Sequence, residues 1–186
     1  MKPINTLRTE HQIVLLILDS AEQILESSDL YLDELEKIVD FSRNFTDGCH
    51  HIKEEKYLFP KLCERGMSAE SGPIAVMLSE HAAGRKYIGE IAGAFPKARE
   101  SDAAAITSMK NSLASYVRLL RAHIMKENGV LFPMSDRILS SEDQSELEKA
   151  FNRVEAEEIG EGIHEKYHNI AHELKKKFGE MKTGRA

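Results

Sequence analysis

Two stretches of the chain, 73 residues apart, carry the same reactive side chains in the same order: Cys49-His50-His51-Ile52-Lys53-Glu54-Glu55-Lys56-Tyr57-Leu58-Phe59-Pro60 and Ala122-His123-Ile124-Met125-Lys126-Glu127-Asn128-Gly129-Val130-Leu131-Phe132-Pro133. Each holds a histidine, a glutamate four residues later, and then Leu-Phe-Pro. Upstream of each lies a second echo, Thr9-Glu10-His11 and Ser79-Glu80-His81, 70 residues apart. On an α-helix positions i and i+4 share a face, so each pair aims one imidazole and one carboxylate the same way. His11, His50, Glu54, His81, His123 and Glu127, brought together between four helices, form a set of neutral nitrogen and anionic oxygen donors suited to two metal ions. A metal-free bundle would have to bury two carboxylates without partners, which is costly.

Helical periodicity supplies the elements that must position them. Ile4, Leu7, His11, Val14, Leu15, Leu18, Ala21, Ile24 and Leu25 recur at spacings of three and four, so His11 lies within one apolar stripe. Ser27-Ser28-Asp29 predicts a turn before a second helix over about 30–65. Gly66 and Ser71-Gly72-Pro73 close it and open a third, about 74–95, with Pro96 as its end. A fourth begins near Ser101-Asp102 and carries Ile106, Met109, Leu113, Tyr116, Val117, Leu120, His123, Ile124 and Glu127 on one stripe. Pro60 and Pro133 should each disturb a helix one turn beyond the glutamate. Ser140-Ser141-Glu142-Asp143 caps a last helix over about 144–177, with a break at Gly160 or Gly162. This reading divides the chain into a bundle at 1–138 and a helical extension at 139–186 that packs on it.

Composition narrows the function classes. In 186 residues, 25 Lys and Arg stand against 31 Asp and Glu, for a net charge of −6, and the longest basic run is Lys175-Lys176-Lys177. That argues against nucleic acid as a partner. No apolar stretch approaches the roughly 18 to 20 residues of a membrane span, and the amino terminus lacks the pattern of a secretory signal. A cytoplasmic protein is expected. The two cysteines, Cys49 and Cys63, fall on one helix at a separation of about 21 Å, beyond disulfide reach, and are expected as free thiols.

The order His11, His50 with Glu54, His81, His123 with Glu127, and the Leu-Phe-Pro after each pair resemble the hemerythrin HHE cation-binding proteins over about residues 5–138. The resemblance implies an all-α, up-down-up-down four-helix bundle holding two non-haem irons bridged by carboxylates and a water-derived oxygen. A ferritin-like site is the nearest architectural alternative, but its helices carry Glu-x-x-His, the reverse order. Within the first motif both His50 with Glu54 and His51 with Glu55 satisfy the four-residue rule. Alignment to the second copy, counted back from Phe-Pro, selects His50 and Glu54. His51 is then expected away from the metal donors, held in an outer layer or exposed, and Glu10 and Glu80 are expected to be solvated.

The chain departs from the oxygen-carrying branch of that family. That branch places a second histidine four residues on in the third helix, where this chain has Arg85, and ends its fourth motif with an aspartate one residue further on, where the partner here is Glu127. The lost imidazole leaves an exchangeable coordination position. The expected ligands are therefore small oxidants, namely dioxygen, nitric oxide or peroxide. A diiron enzyme that reduces peroxide or handles iron, and a redox or gas sensor acting through a partner, are the other classes the residues allow. His164, His168 and His172 follow at four-residue steps in the last helix. His164 and His168 are candidates to supply a seventh ligand or to support the site from outside it, as is Tyr116, and Arg85 is expected to pair with a carboxylate at the mouth of the site.

Overall fold

A computed structural model describes residues 2–160 and 162–183, with the backbone alone at 157–159 and 180–183. All of its regular elements are helical. The first bundle helix is α1 (Pro3–Glu26). The second runs from α2 (Leu32–Phe41) through π-helical turns at Ser42–His51 and Glu54–Leu58 to α3 (Phe59–Glu64). The third is α4 (Gly72–Arg99), and the fourth runs from α5 (Ala103–Lys126) through a π-helical turn at Glu127–Leu131 to α6 (Phe132–Ile138). Short connections make sequential neighbours antiparallel, and α1 closes the circuit against α5, giving the up-down-up-down bundle.

The caps follow from local chemistry. Asp102 accepts a hydrogen bond from the Ala105 amide at 2.8 Å, and Ser140 with Asp143 forms a reciprocal capping box that starts α7 (Ser141–Arg153). Pro96 does not end the third helix. It sits inside α4, which runs on to Arg99, because in the final turn a missing amide sacrifices one hydrogen bond while Ala98 still packs into the core. Pro60 and Pro133 each follow a widened turn. Each lacks an amide and would crowd the carbonyl four residues back, and in each case the turn before it has widened. The Phe59 and Phe132 amides donate to the carbonyls of Glu54 and Glu127, five residues back.

Beyond the bundle, α7 continues into a π-helical turn at Val154–Ile159, breaks at Gly160 (φ 92°) and Gly162 (φ 80°), and resumes as α8 (Ile163–Thr183). Only a residue without Cβ takes such left-handed angles freely, so the glycines permit the helix to break there, while the extension keeps one direction along the second bundle helix, from Asp143 beside Arg65 to Lys177 beside Glu34. The two halves of this extension seal different cores. α8 buries Tyr167, Ala171, Leu174 and Phe178 against α1 and α2, within an apolar cluster that includes Val14, Phe41, Phe45, Ile91 and Leu113. α7 buries Leu147 and Phe151 in a second cluster with Ile4, Leu7, Leu58, Phe59, Met77 and Phe132. Between Leu7 of one cluster and Val14 of the other lie Glu10 and His11, and the polar layer begins there.

Candidate metal centre

The four helices deliver seven donor side chains to this layer, all buried. His11, His50 and Glu127 bring ligand atoms within 4.8 Å of one another, and so do His51, Glu54, His81 and His123. The two groups interlock through the carboxylates. Glu54 has Oε1 3.7 Å from His50 Nε2 and Oε2 3.4 Å from His81 Nε2. Glu127 has Oε2 3.1 Å from His11 Nε2 and 3.2 Å from His123 Nε2. Each glutamate therefore lies between a histidine of one group and a histidine of the other.

Hydrogen bonding fixes which nitrogen is available. His50 Nδ1 donates to Glu10 at 2.8 Å, His51 Nδ1 to Asp47 at 3.2 Å, His81 Nδ1 to Glu55 at 2.6 Å, His123 Nδ1 to Glu80 at 3.0 Å, and His11 Nδ1 to the Asn128 carbonyl oxygen at 3.1 Å. All five acceptors are oxygens, so Nδ1 carries the proton and Nε2 presents a lone pair inward. The Nε2 atoms of His81 and His123 then face each other at 3.2 Å, lone pair to lone pair. The Nε2 atoms of His11, His50 and His51 and all four oxygens of Glu54 and Glu127 are buried without a hydrogen-bond partner. Such a layer is repulsive unless cations sit in it. Without a metal ion the layer draws in protons instead: burial and the facing Glu127 push the Glu54 carboxyl well above its usual range, and, against burial, Glu127 and Glu80 raise the His123 imidazole to about 9. A donor set of imidazole and carboxylate, without thiolate, suits iron better than a structural zinc.

His51 departs from the expectation of an outer or exposed position. It is buried, and its ring stacks on His81 at 3.7 Å with 14° between planes. The π-helical turn over Ser42–His51 is the reason. More residues share one turn, so neighbouring side chains stand closer around the axis, and His50 and His51 both face inward. Glu10 is also not solvated, and Glu80 is half-buried. Glu10 is buried between His50 and Lys53, and Glu80 holds His123 and Lys126. Burial alone would raise the Glu10 carboxyl, but the nearby His164, the hydrogen bond from His50 and the Lys53 charge hold it well below the usual range. The signal was in the repeat, since Glu-His and His-x-x-Lys-Glu occur twice and Lys53 matches Lys126.

The remaining candidates sit outside the donor layer. His164 Nε2 approaches Glu10 Oε1 at 3.8 Å and belongs to a separate group with Glu10 and Glu155. His168 stacks beside His164 with ring centroids 4.6 Å apart and lies against Phe45, and His172 is exposed. Tyr116 is buried with its hydroxyl toward Ser42 and Thr46, and burial pushes it up to about 12. It lines a cavity of about 250 Å³ with Gly84, Ile88 and Leu120 that reaches His51 and Glu80 inside and Arg85 and Asp47 at its mouth. Arg85 pairs there with Asp47 and Glu55, each at 2.7 Å. Both cysteines are free, and burial together with Glu10 raises the Cys49 thiol to about 12, which keeps it protonated and unreactive.

A sequence profile of the hemerythrin HHE cation binding domain matches residues 2–135, the whole of this donor-bearing bundle apart from the end of α6. The chain belongs to that family. Similar proteins include uncharacterised proteins of Mycobacterium bovis and Mycobacterium tuberculosis, each 27% identical over 119 residues, or 64% of this chain and 46% of theirs. The iron-sulfur cluster repair protein YtfE of Salmonella newport is 36% identical over 87 residues, 45% of this chain and 39% of that protein. The chain thus spans less than half the length of the curated relatives it matches. No solved structure gives a significant match. Among the described residues, no helix is long and apolar enough to cross a membrane.

Proposed function

We propose that this hemerythrin-family chain holds two irons and binds a small oxidant, dioxygen, nitric oxide or peroxide, at that pair, in a reducing cytoplasmic setting consistent with its free cysteines. His11 and His50 would hold one iron, His81 and His123 the other, with Glu54 and Glu127 between them and His51 as a further donor on the second side. The observation that carries the reading is the interlock: each buried, unpaired glutamate lies within 3.7 Å of histidines from both groups.

When bound, the iron pair supplies open coordination and up to two electrons for the oxidant. The chain's own residues do the rest. Glu10, Glu55, Glu80, Asp47 and Asn128 hold the Nδ1 protons, which fixes each ring's orientation and tautomer. The apolar clusters above and below exclude bulk water. The cavity lined by Tyr116 and Gly84 gives a small molecule a way in beside His51, and the Arg85 ion pairs sit at its mouth.

Metal analysis, an optical spectrum and nitric oxide binding on the purified protein test this. Two irons per chain, near-ultraviolet charge transfer and saturable nitric oxide binding are the expected results. Zinc alone, or no metal after iron-replete expression, would overturn the metal assignment. Two irons without response to any of the three oxidants would overturn the ligand assignment alone.

A further inference from the structure

The internal repeat builds the same triad twice. In the first copy, Lys53 donates to Glu10, which accepts from His50. In the second, Lys126 donates to Glu80, which accepts from His123. The chemistry matches, but the cover does not.

α7 and the turn after it lie over the first triad. Phe151 packs beneath the Lys53 ammonium, 5.9 Å from ring centre to Nζ, and Glu155 accepts a second hydrogen bond from it at 2.6 Å. Lys53 is 0% exposed as a result. Thr6 and Tyr57, each one turn from the triad on the side of the second apolar cluster, also face this extension. Among the described residues, no such element lies over the second triad. Lys126 is 37% exposed, and Glu80 is its carboxylate partner.

The residues at the matching positions are apolar. Val76 corresponds to Thr6 and lies one turn from Glu80; Val130 corresponds to Tyr57 and lies one turn from Lys126; Met125 corresponds to Ile52. Because α4 and the fourth helix run antiparallel, Val76 and Val130 both lie one turn from the Glu80–Lys126 pair on the side of the second apolar cluster, and Met125 stands next to Lys126. They are the large hydrophobic side chains that stand exposed among the described residues, at 43%, 49% and 69%. An apolar rim around a lysine with spare donors is what remains when an amphipathic helix is taken away.

We infer that this face docks an amphipathic helix of a partner protein that carries a large apolar residue and a carboxylate four positions later. The carboxylate would take the place at Lys126 that Glu155 takes at Lys53, and the apolar side chain would cover Val76 and Val130 as Phe151 covers its own face. This recognition does not depend on which oxidant the metal pair binds.

A fluorescein-labelled peptide spanning residues 140–156 has the required pattern and serves as the probe, titrated into the full-length protein and followed by anisotropy. Saturable binding is expected, weakened about tenfold or more by Lys126→Glu and by Val76→Asp. A peptide with Glu155→Lys should recover binding to the Lys126→Glu protein. Iron content and circular dichroism verify that each variant is folded, and Val130→Asp replaces any that is not. The inference is overturned by absence of saturable binding, or by binding indifferent to these substitutions, which would mean that the peptide displaces α7 from its own place. A dimer that Val130→Asp converts to monomer would overturn it too, since the face would then belong to a second copy.

Discussion

Replacing Lys53 by methionine should be far more damaging than the same change at its repeat partner Lys126. Lys53 is buried with its ammonium between Glu10 and Glu155, while Lys126 is over a third exposed. Removing the ammonium leaves Glu10 buried with His50 at 2.8 Å and His164 no nearer than 3.8 Å. The carboxylate must then remain as an undercompensated charge or take up a proton. Protonating a carboxyl of ordinary affinity at pH 7 costs about 3.7 kcal/mol, which caps the loss, and breaking a buried pair typically costs about 3–5 kcal/mol. The expected penalty for Lys53→Met is therefore about 3–4 kcal/mol. For Lys126→Met, where water replaces the lost partner, it is about 0–1 kcal/mol. Urea unfolding of the iron-loaded proteins, followed by circular dichroism, measures both. Adding Glu10→Gln to Lys53→Met should recover much of the loss, because the amide carries no charge to strand. Equal losses at the two lysines, or no relief from Glu10→Gln, would refute the reasoning.

Three further outcomes are expected. His50→Ala should lose one of the two irons, because its group has only one other histidine, whereas His51→Ala should keep both and shift the charge-transfer spectrum; iron analysis and absorption spectra separate the cases. Asp143→Asn should destabilise the protein at neutral pH. Hydrogen bonds from Arg65 and from the Ser140 backbone hold the Asp143 carboxyl below its usual value, so its contribution is present above the unfolded-state value and lost as pH falls through the folded one. Thermal melts should show the gap between parent and variant closing below about pH 4. Phe151→Ala should cost about 3–5 kcal/mol in the same urea assay, since it empties the contact between α7 and the second apolar cluster.

Much of the architecture was legible because periodicity and punctuation agree. The stripe through His11, the turn at Ser27–Asp29, the Ser140 cap and the glycines at 160 and 162 all lie where hydrophobic spacing and backbone chemistry place them. The six side chains proposed as donors do meet in one buried layer, four of them readable from a four-residue rule stated twice and His11 and His81 from the repeated Glu-His. What escaped were effects the α-helical rule cannot contain. His51 faces inward only because the turn around it is wider than α, and that widening leaves no mark a fixed period would detect. Glu10 and Glu80 looked like surface charges because a glutamate beside a histidine is ordinary on an exposed helix. Their burial depends on Lys53 and Lys126 arriving from another helix, a tertiary fact written only in the recurrence of His-x-x-Lys-Glu. Pro96 misled because a proline in a last turn removes too little to end a helix that still has core to cover.

The polar layer also bears on how the molecule assembles. The apolar clusters above and below it are each closed by a different part of the extension, α7 for one and α8 for the other, and they communicate chiefly through helices that cross a layer of inward lone pairs and carboxylates. That layer supplies no apolar contact between the two clusters, so each half of the core can order on its own. Cations at the layer would convert the same side chains into crosslinks, making metal uptake a step that fuses two loosely coupled folding units into one cooperative body.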